Sequence, residues 1–209
     1  MQQLKQFIAI LLVSLPLKSS AVIIVRPAVV NDYESFCQLD RRVTFEFFKP
    51  LYQENYASFE FGKDPDPYLE EELADDEILF YQCAKGDIDK KLYVAYDDEQ
   101  AKLAGFLLFN VDLDELYIDL FMIDEAFRNK GIGKQLISKM IADYSQAKTC
   151  TVEPLKRGND ATLAFYRSAG FVNKTMPLPD RLNSYGVPYA QLFLYYQLDV
   201  QTAAQNRIN

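Results

Sequence analysis

The strongest element in the hydrophobic pattern is the run Tyr117 to Ile123, apolar throughout except for Asp119, which reads as a buried strand. After a short polar stretch, Ile132, Leu136, Ile137, Met140, Ile141 and Tyr144 recur at the spacing that gives a helix one apolar face against a sheet. Similar runs rich in β-branched and aromatic residues predict strands at about 22–26, 92–97, 103–111, 115–123, 148–153, 171–176 and 190–198. Helical periodicity predicts helices near 32–48, 68–82, 131–145 and 159–168. Two helices precede the central strands and two alternate with strands, which implies an α/β (α+β) domain whose mixed sheet carries helices on its faces. The chain shows no internal repeat, low-complexity tract or linker long enough to divide it.

The junction between the strand at 117–123 and the helix that follows carries the chemistry. Its sequence is Arg128-Asn129-Lys130-Gly131-Ile132-Gly133-Lys134. Glycines there allow a tight turn and close backbone approach, so the N–H groups of the first helical turn can face phosphate oxygens, with Arg128, Lys130 and Lys134 adding positive charge. A P-loop is excluded, because Arg128 stands five residues before Gly133 and Gln135 follows Lys134. A dinucleotide fingerprint is excluded too, because its third glycine falls at Leu136, which the helix uses for packing. What remains is R-x-x-G-x-G in a strand–loop–helix setting, a pyrophosphate site.

This run resembles motif A of the GCN5-related N-acetyltransferases (GNAT family), which hold the pyrophosphate of acetyl-CoA on that loop. Downstream, Asn159-Asp-Ala-Thr-Leu-Ala-Phe-Tyr166-Arg-Ser-Ala-Gly170-Phe171 is similar to the family's N-x-x-A-x-x-F-Y-x-x-x-G-F element. Ile24-Val25-Arg26-Pro27-Ala28, followed by Asp32, resembles its first strand and the start of its first helix. The resemblance covers about 22–199 and leaves 200–209 as a C-terminal tail. It implies a mixed, mostly antiparallel central sheet of about seven strands flanked by helices. Strands four and five of that sheet splay, and the pantetheine arm pairs there like an added strand.

On the same resemblance, the backbones of Phe121, Met122 and Ile123 contact pantetheine and thioester, and the loop Arg128 to Lys134 holds the pyrophosphate. Those strand residues also serve as ordinary core, since alternate side chains can pack while a backbone edge binds ligand. Asp119 is costly mid-strand unless compensated. Period two places it on one face with Tyr117, Phe121 and Ile123, looking into the cleft that face borders. It is either a structural carboxylate or the base that takes a proton from an amine, the second being favoured by the acidic residue that diamine acetyltransferases of the family carry at the matching position. Tyr166 is either an aromatic packing partner of Phe165 or, as the family implies, the acid that protonates the leaving thiolate. Asn159 reads as a helix cap, and the resemblance adds contact with pantetheine. Thr162 departs from the family's usual alanine. Lys156 and Arg157 read as solvated residues or as partners of a ribose phosphate. The acceptor pocket is expected from 45–68 and 177–189, both rich in Tyr, Phe and Pro.

Composition narrows the chemistry. At 209 residues, 49% hydrophobic and 25% charged, the chain suits one domain with a substantial core. It contains no histidine, which excludes a Ser-His-Asp or Cys-His nucleophile system and a His-containing metal site. Cys37, Cys83 and Cys150 are dispersed and form no C-x-x-C pair, so they suggest neither zinc nor a disulfide framework. The function implied is therefore transfer of acetyl from acetyl-CoA, as co-substrate and without metal, to a primary amine by direct attack in a ternary complex. A fold retained for acyl-CoA or ligand binding without turnover is the alternative. Substitution separates the two.

The first 21 residues form a distinct unit: Lys5, the apolar run Phe7 to Val13 extended through Leu15 and Leu17, then Ser19-Ser20-Ala21. That order resembles a secretory signal peptide. It is too short and too interrupted for a stable membrane span of about 20 residues. Export of the mature chain, to the periplasm or medium, is the expectation, with a cytoplasmic protein as the alternative because acetyl-CoA is a cytosolic metabolite. Removing 1–21 takes Lys5 and Lys18 with it and leaves 20 basic against 30 acidic residues, a net charge of −10, which disfavours nucleic acid as a partner. The acidic runs Glu70 to Glu72 and Asp75 to Glu77 read as a solvated helix face, or as an attractor for a cationic amine if they border the acceptor site. The acceptor's identity and the oligomeric state are open at this level.

Overall fold

In the computed structural model, which describes residues 22–57, 64–86, 88–177, 180–182, 187 and 189–205, seven strands form one sheet in the order β1-β2-β3-β4-β5-β7-β6. They are β1 (Ile23–Pro27), β2 (Lys91–Asp97), β3 (Lys102–Asp112), β4 (Glu115–Ile123), β5 (Thr149–Val152), β6 (Val172–Lys174) and β7 (Tyr195–Asp199). Every pairing is antiparallel except β4 with β5. The helices are α1 (Tyr33–Val43), α2 (Lys49–Asn55), α3 (Asp66–Lys85), α4 (Ile132–Asp143), α5 (Asp160–Ser168), a short α6 (Tyr189–Leu192) and α7 (Val200–Gln205). The fold class expected from the sequence is thereby realised. The proposed leader, 1–21, lies outside the described residues, and among those described no helix is long and apolar enough to cross a membrane.

Alternation along the central strands divides the core between the two faces of the sheet. Leu107, Phe109, Leu116 and Ile118 pack with Leu136, Ile137, Met140 and Ile141 of α4, while Leu92, Val94, Phe106 and Leu108 pack with Phe36, Leu39 and Val43 of α1 and Phe80 of α3. Each face supplies apolar side chains at period two and each helix at three to four, the condition for two layers to bury against one sheet. Residues 200–205, expected as part of a C-terminal tail, form α7: Val200 is fully buried and Ala203 and Ala204 pack on the α4 side.

Two boundaries differ from the sequence pattern for identifiable reasons. The helix predicted over 32–48 continues through a π-helical turn, Thr44–Phe48, into α2 as far as Asn55. Pro50 does not stop it: it falls within the first two residues of α2, immediately after the π-helical turn, where the hydrogen-bond register changes. The strand predicted over 190–198 is strand only from Tyr195. Its apolar first half forms α6, and Leu192 and Phe193 join a satellite core with Leu51, Tyr56, Leu155 and Val187. A short apolar run carries no period that tells helix from strand.

Candidate active site

β4 is paired on both edges only in its first half. Its parallel pairing with β5 runs from Glu115↔Thr149 to Ile118↔Val152 and stops, while antiparallel pairing with β3 continues to Ile123↔Gly105. From Asp119 to Ile123 the edge toward β5 therefore has no strand partner among the described residues, the splay implied by the family resemblance. A ligand with amide groups could pair there.

Asp119 sits on an irregularity of that strand. The register passes from Leu108↔Leu120 to Phe109↔Ile118, which leaves Asp119 as the extra residue of a bulge. This corrects the expectation that Tyr117, Asp119, Phe121 and Ile123 share a face. An extra residue inverts the alternation, so Leu116 and Ile118 before the bulge pack with Phe121 and Ile123 after it, whereas Leu120 and Met122 face α1 and α3. Asp119 is exposed, because β4 has lost its β5 neighbour at this point, so the burial cost expected of a mid-strand carboxylate does not arise. Its Oδ2 accepts from Lys90 Nζ and from Asn110 Nδ2, each at 2.8 Å.

The loop after β4 reaches the start of α4 through Asn129 (φ 60°) and Gly131 (φ 79°), both left-handed. Gln135 N–H is the first to bond back, to the Gly131 carbonyl at 3.1 Å, so the N–H groups of Ile132, Gly133 and Lys134 make no intrahelical bond. Gly133 has a different task from the one expected. It is buried, and a Cβ there would come within 2.9 Å of the Phe165 ring and 3.2 Å of Phe121. It admits the aromatic pair that ties the loop to β4 and α5. Arg128 donates through Nε to the Ile123 carbonyl at 3.2 Å and lays its guanidinium over Phe47. Lys130 lies over Phe127, and Lys134 is exposed on the first turn.

A cavity of about 450 Å³ passes through the splay and is lined from both faces of the sheet. Phe121, Met122, Asn159, Thr162 and Tyr166 line it, as does Asp119. Ile123 and the residues of the loop stand outside it, the loop abutting it through Gly133. From the other face come Thr44, Phe47 and Phe48 of the π-helical turn, a device that recurs where a helix must re-aim side chains into a site. Asn159 precedes α5, yet its side chain makes no cap. Its Nδ2 points at the Leu155 carbonyl at 3.5 Å, and its Oδ1 is buried without a hydrogen-bond partner. An orphaned acceptor on a cavity wall is costly unless a ligand donor meets it. Tyr166 is 3% exposed and packs against Phe121, Phe165, Phe171 and Tyr196. Burial pushes its hydroxyl pKa well above the ordinary range, so the phenol keeps its proton. Lys156 donates to the Ala190 carbonyl and Arg157 is exposed.

The acidic runs divide between the two roles open to them. Glu70 pairs with Arg41 on the surface and Glu77 accepts from Tyr33, whereas Glu72, Asp75 and Asp76 line the cavity with Asp119, Glu153 and Lys90. The sequence pattern did not separate these, since only the seating of α3 decides which of its faces meets the splay. Of the segments expected to build the acceptor pocket, Phe47, Phe48 and Tyr52 line the cavity, and parts of both segments lie outside the described residues.

Behind this wall Asp40 is 1% exposed, accepts from Thr44 Oγ1 at 3.5 Å and leaves Oδ2 unpartnered. Burial, reinforced by Asp76, pushes its carboxyl up to about 8. The fold therefore holds a proton that the unfolded chain releases near 3.8, so stability falls as pH rises between those values. Asp40→Asn removes that penalty, and thermal melts are expected to show a gain in Tm over wild type that is larger at pH 8 than at pH 5.

Comparison with known proteins agrees with this geometry. The model of the acetyltransferase (GNAT) family matches residues 48–171, which contain the splay, the loop and Tyr166. The chain belongs to the GNAT family. A GNAT fold also recurs among solved structures. The PaiA N-acetyltransferase of Thermoplasma acidophilum, in complex with coenzyme A, is 16% identical with a TM-score of 0.60, over 85% of this chain and 99% of that one. A spermidine N-acetyltransferase chimera from Vibrio cholerae and hSSAT is 14% identical with a TM-score of 0.58, over 87% and 97%. The ribosomal-protein alanine N-acetyltransferase of Escherichia coli is 16% identical with a TM-score of 0.55, over 86% and 94%. No curated protein matches the chain.

Proposed function

We propose that this GNAT protein is an N-acetyltransferase that moves acetyl from acetyl-CoA to a primary amine by direct attack in a ternary complex. The observation that carries the proposal is the meeting, in one cavity, of the unpaired half of β4, Tyr166 and a wall of carboxylates. Free backbone on β4, the orphaned Asn159 Oδ1 and the unbonded N–H groups at the start of α4 suit the amides and pyrophosphate of an acyl-CoA. The GNAT relatives that bear coenzyme A and acetylate amines support the same assignment.

In this reading the first turn of α4 binds the pyrophosphate and the backbone of Phe121 and Met122 aligns the thioester. Asn159 donates to or accepts from the pantetheine amides. The acidic wall draws the acceptor in as an ammonium ion, and one of its carboxylates, with Asp119 the member on β4, takes the proton that must leave before nitrogen can attack. Tyr166 returns a proton to the departing sulfur. No cysteine stands ready to carry an acetyl-enzyme: among the described residues none of the three lines the cavity, and Cys150 is buried with its pKa pushed far up.

The test is thiol release from acetyl-CoA, followed with a chromogenic disulfide, across a panel containing 1,4-diaminobutane, spermidine and a lysine peptide. Saturable, amine-dependent release with a mass gain of one acetyl group on the acceptor is expected. A folded protein that binds acetyl-CoA and acetylates none of them would leave a binding protein in place of an enzyme.

A further inference from the structure

Five carboxylates line the cavity, and they differ in what already holds them. Glu72 accepts on Oε2 from the Tyr52 hydroxyl at 3.4 Å and on Oε1 from Tyr68. Glu153 Oε2 accepts from Arg181 at 2.8 Å and Tyr117 at 3.2 Å. Asp119 Oδ2 is shared by Lys90 and Asn110. Asp75 is exposed to solvent. Asp76 alone among the five is partly buried, lines the cavity and makes no hydrogen bond or ion pair with the described residues.

We propose that Asp76 is the carboxylate that takes the proton from the acceptor amine, while Asp119 and Lys90 are positioning residues that fix the charge and shape of the wall. The inference rests on the acetyltransferase reading and names the base within it. A carboxylate clamped by an ammonium gains little from a proton, because protonation breaks its ion pair; an unpaired one beside other carboxylates gains from it. The groups facing Asp76 make this concrete. On its own helix stand Glu72 and Asp75, from β4 comes Asp119, and Lys90 precedes β2 and opposes them in sign. Burial first, then Glu72 and Asp75, push Asp76 up to about 7, Lys90 partly offsetting this. Asp40, packed behind from α1, is held protonated up to about 8.

The step balances. The substrate ammonium gives one proton to Asp76, its nitrogen forms a bond to the thioester carbon, and the carbon–sulfur bond breaks. Tyr166 protonates the sulfur and is restored by the second proton of the nitrogen. Asp76 then releases its proton to water, one per acetyl transferred, and no oxidant, reductant or metal is consumed.

The experiment uses the full-length protein with acetyl-CoA and whichever panel amine is acetylated fastest, recording kcat/KM from pH 5 to 9 for wild type, Asp76→Asn and Asp119→Asn. Wild type is expected to lose activity as pH falls through about 7, where Asp76 becomes protonated. Asp76→Asn is expected to lower the plateau by about 100-fold or more and to erase the part of the acid limb that does not track the amine's own pKa. Asp119→Asn is expected to raise KM and to keep that limb. A limb that persists in Asp76→Asn and vanishes in Asp119→Asn overturns the assignment, and so does an Asp76 carboxyl titrating near 3.8 by carbon NMR. Retained acetyl-CoA binding shows that each variant is folded. Absence of any transfer by wild type instead overturns the acetyltransferase reading itself.

Discussion

Gly131→Glu is expected to weaken acetyl-CoA binding by about 3 kcal/mol, roughly 100-fold, in a calorimetric titration of the full chain. The cause is chiefly charge. Space around the position is open, since a Cβ at Gly131 meets nothing within 4 Å, so steric exclusion contributes little. Two like charges about 4 Å apart near a protein surface repel by about 4 kcal/mol, and the proposed binding mode puts the pyrophosphate beside a carboxylate on this turn. Gly131 also holds φ at 79°, which costs any other residue roughly 1–2 kcal/mol. Gly131→Ala separates the two terms. It carries the backbone strain without the charge, so it is expected to lower Tm about as far as Gly131→Glu while retaining most of the affinity. Equal affinity in wild type and Gly131→Glu would remove the loop from the binding site.

The parts of this molecule legible in its sequence are those fixed by local period. The apolar face of α4 at Ile132, Leu136, Ile137, Met140 and Ile141 is fully buried as its spacing implies. The junction motif lies between β4 and α4 because a strand period and a helix period meet there. What was not legible depends on partners distant in sequence. The bulge at Asp119 exists only in the pairing of β4 with β3, and no pattern within 115–123 announces the inverted alternation after it. Asp76 could not be told from Glu70 or Glu77 by neighbours alike in charge. Its distinction is the contact of α3 with the splay, which leaves Glu70 beside Arg41 and Asp76 in the cavity. Residue type at a helix start marks Asn159 as a cap, whereas its amide points to the Leu155 carbonyl. One signal is present in the sequence: Glu72, Asp75 and Asp76 fall three and four residues apart, the spacing of one helical face and so of a common wall.

Tyr166→Phe is expected to reduce kcat by at least about 100-fold while leaving the Kd for acetyl-CoA within about twofold of wild type. The substitution isolates one atom. The ring of Tyr166 packs against Phe121, Phe165, Phe171 and Tyr196 at centroid distances of 5.3–6.4 Å, contacts a phenylalanine reproduces, so the fold and the seating of α5 should persist. In the proposed mechanism, deleting the hydroxyl leaves the departing thiolate without its donor. The direction of the pKa shift matters to this role. Burial raises it, so the phenol remains protonated throughout the pH range in which Asp76 changes state, and loss of the hydroxyl lowers the plateau without moving the acid limb. A profile lowered evenly at every pH is thus the signature of Tyr166 acting as acid. An unchanged kcat would reduce Tyr166 to an aromatic core residue, and a large loss of acetyl-CoA affinity would make it a binding group; either result removes it from proton transfer.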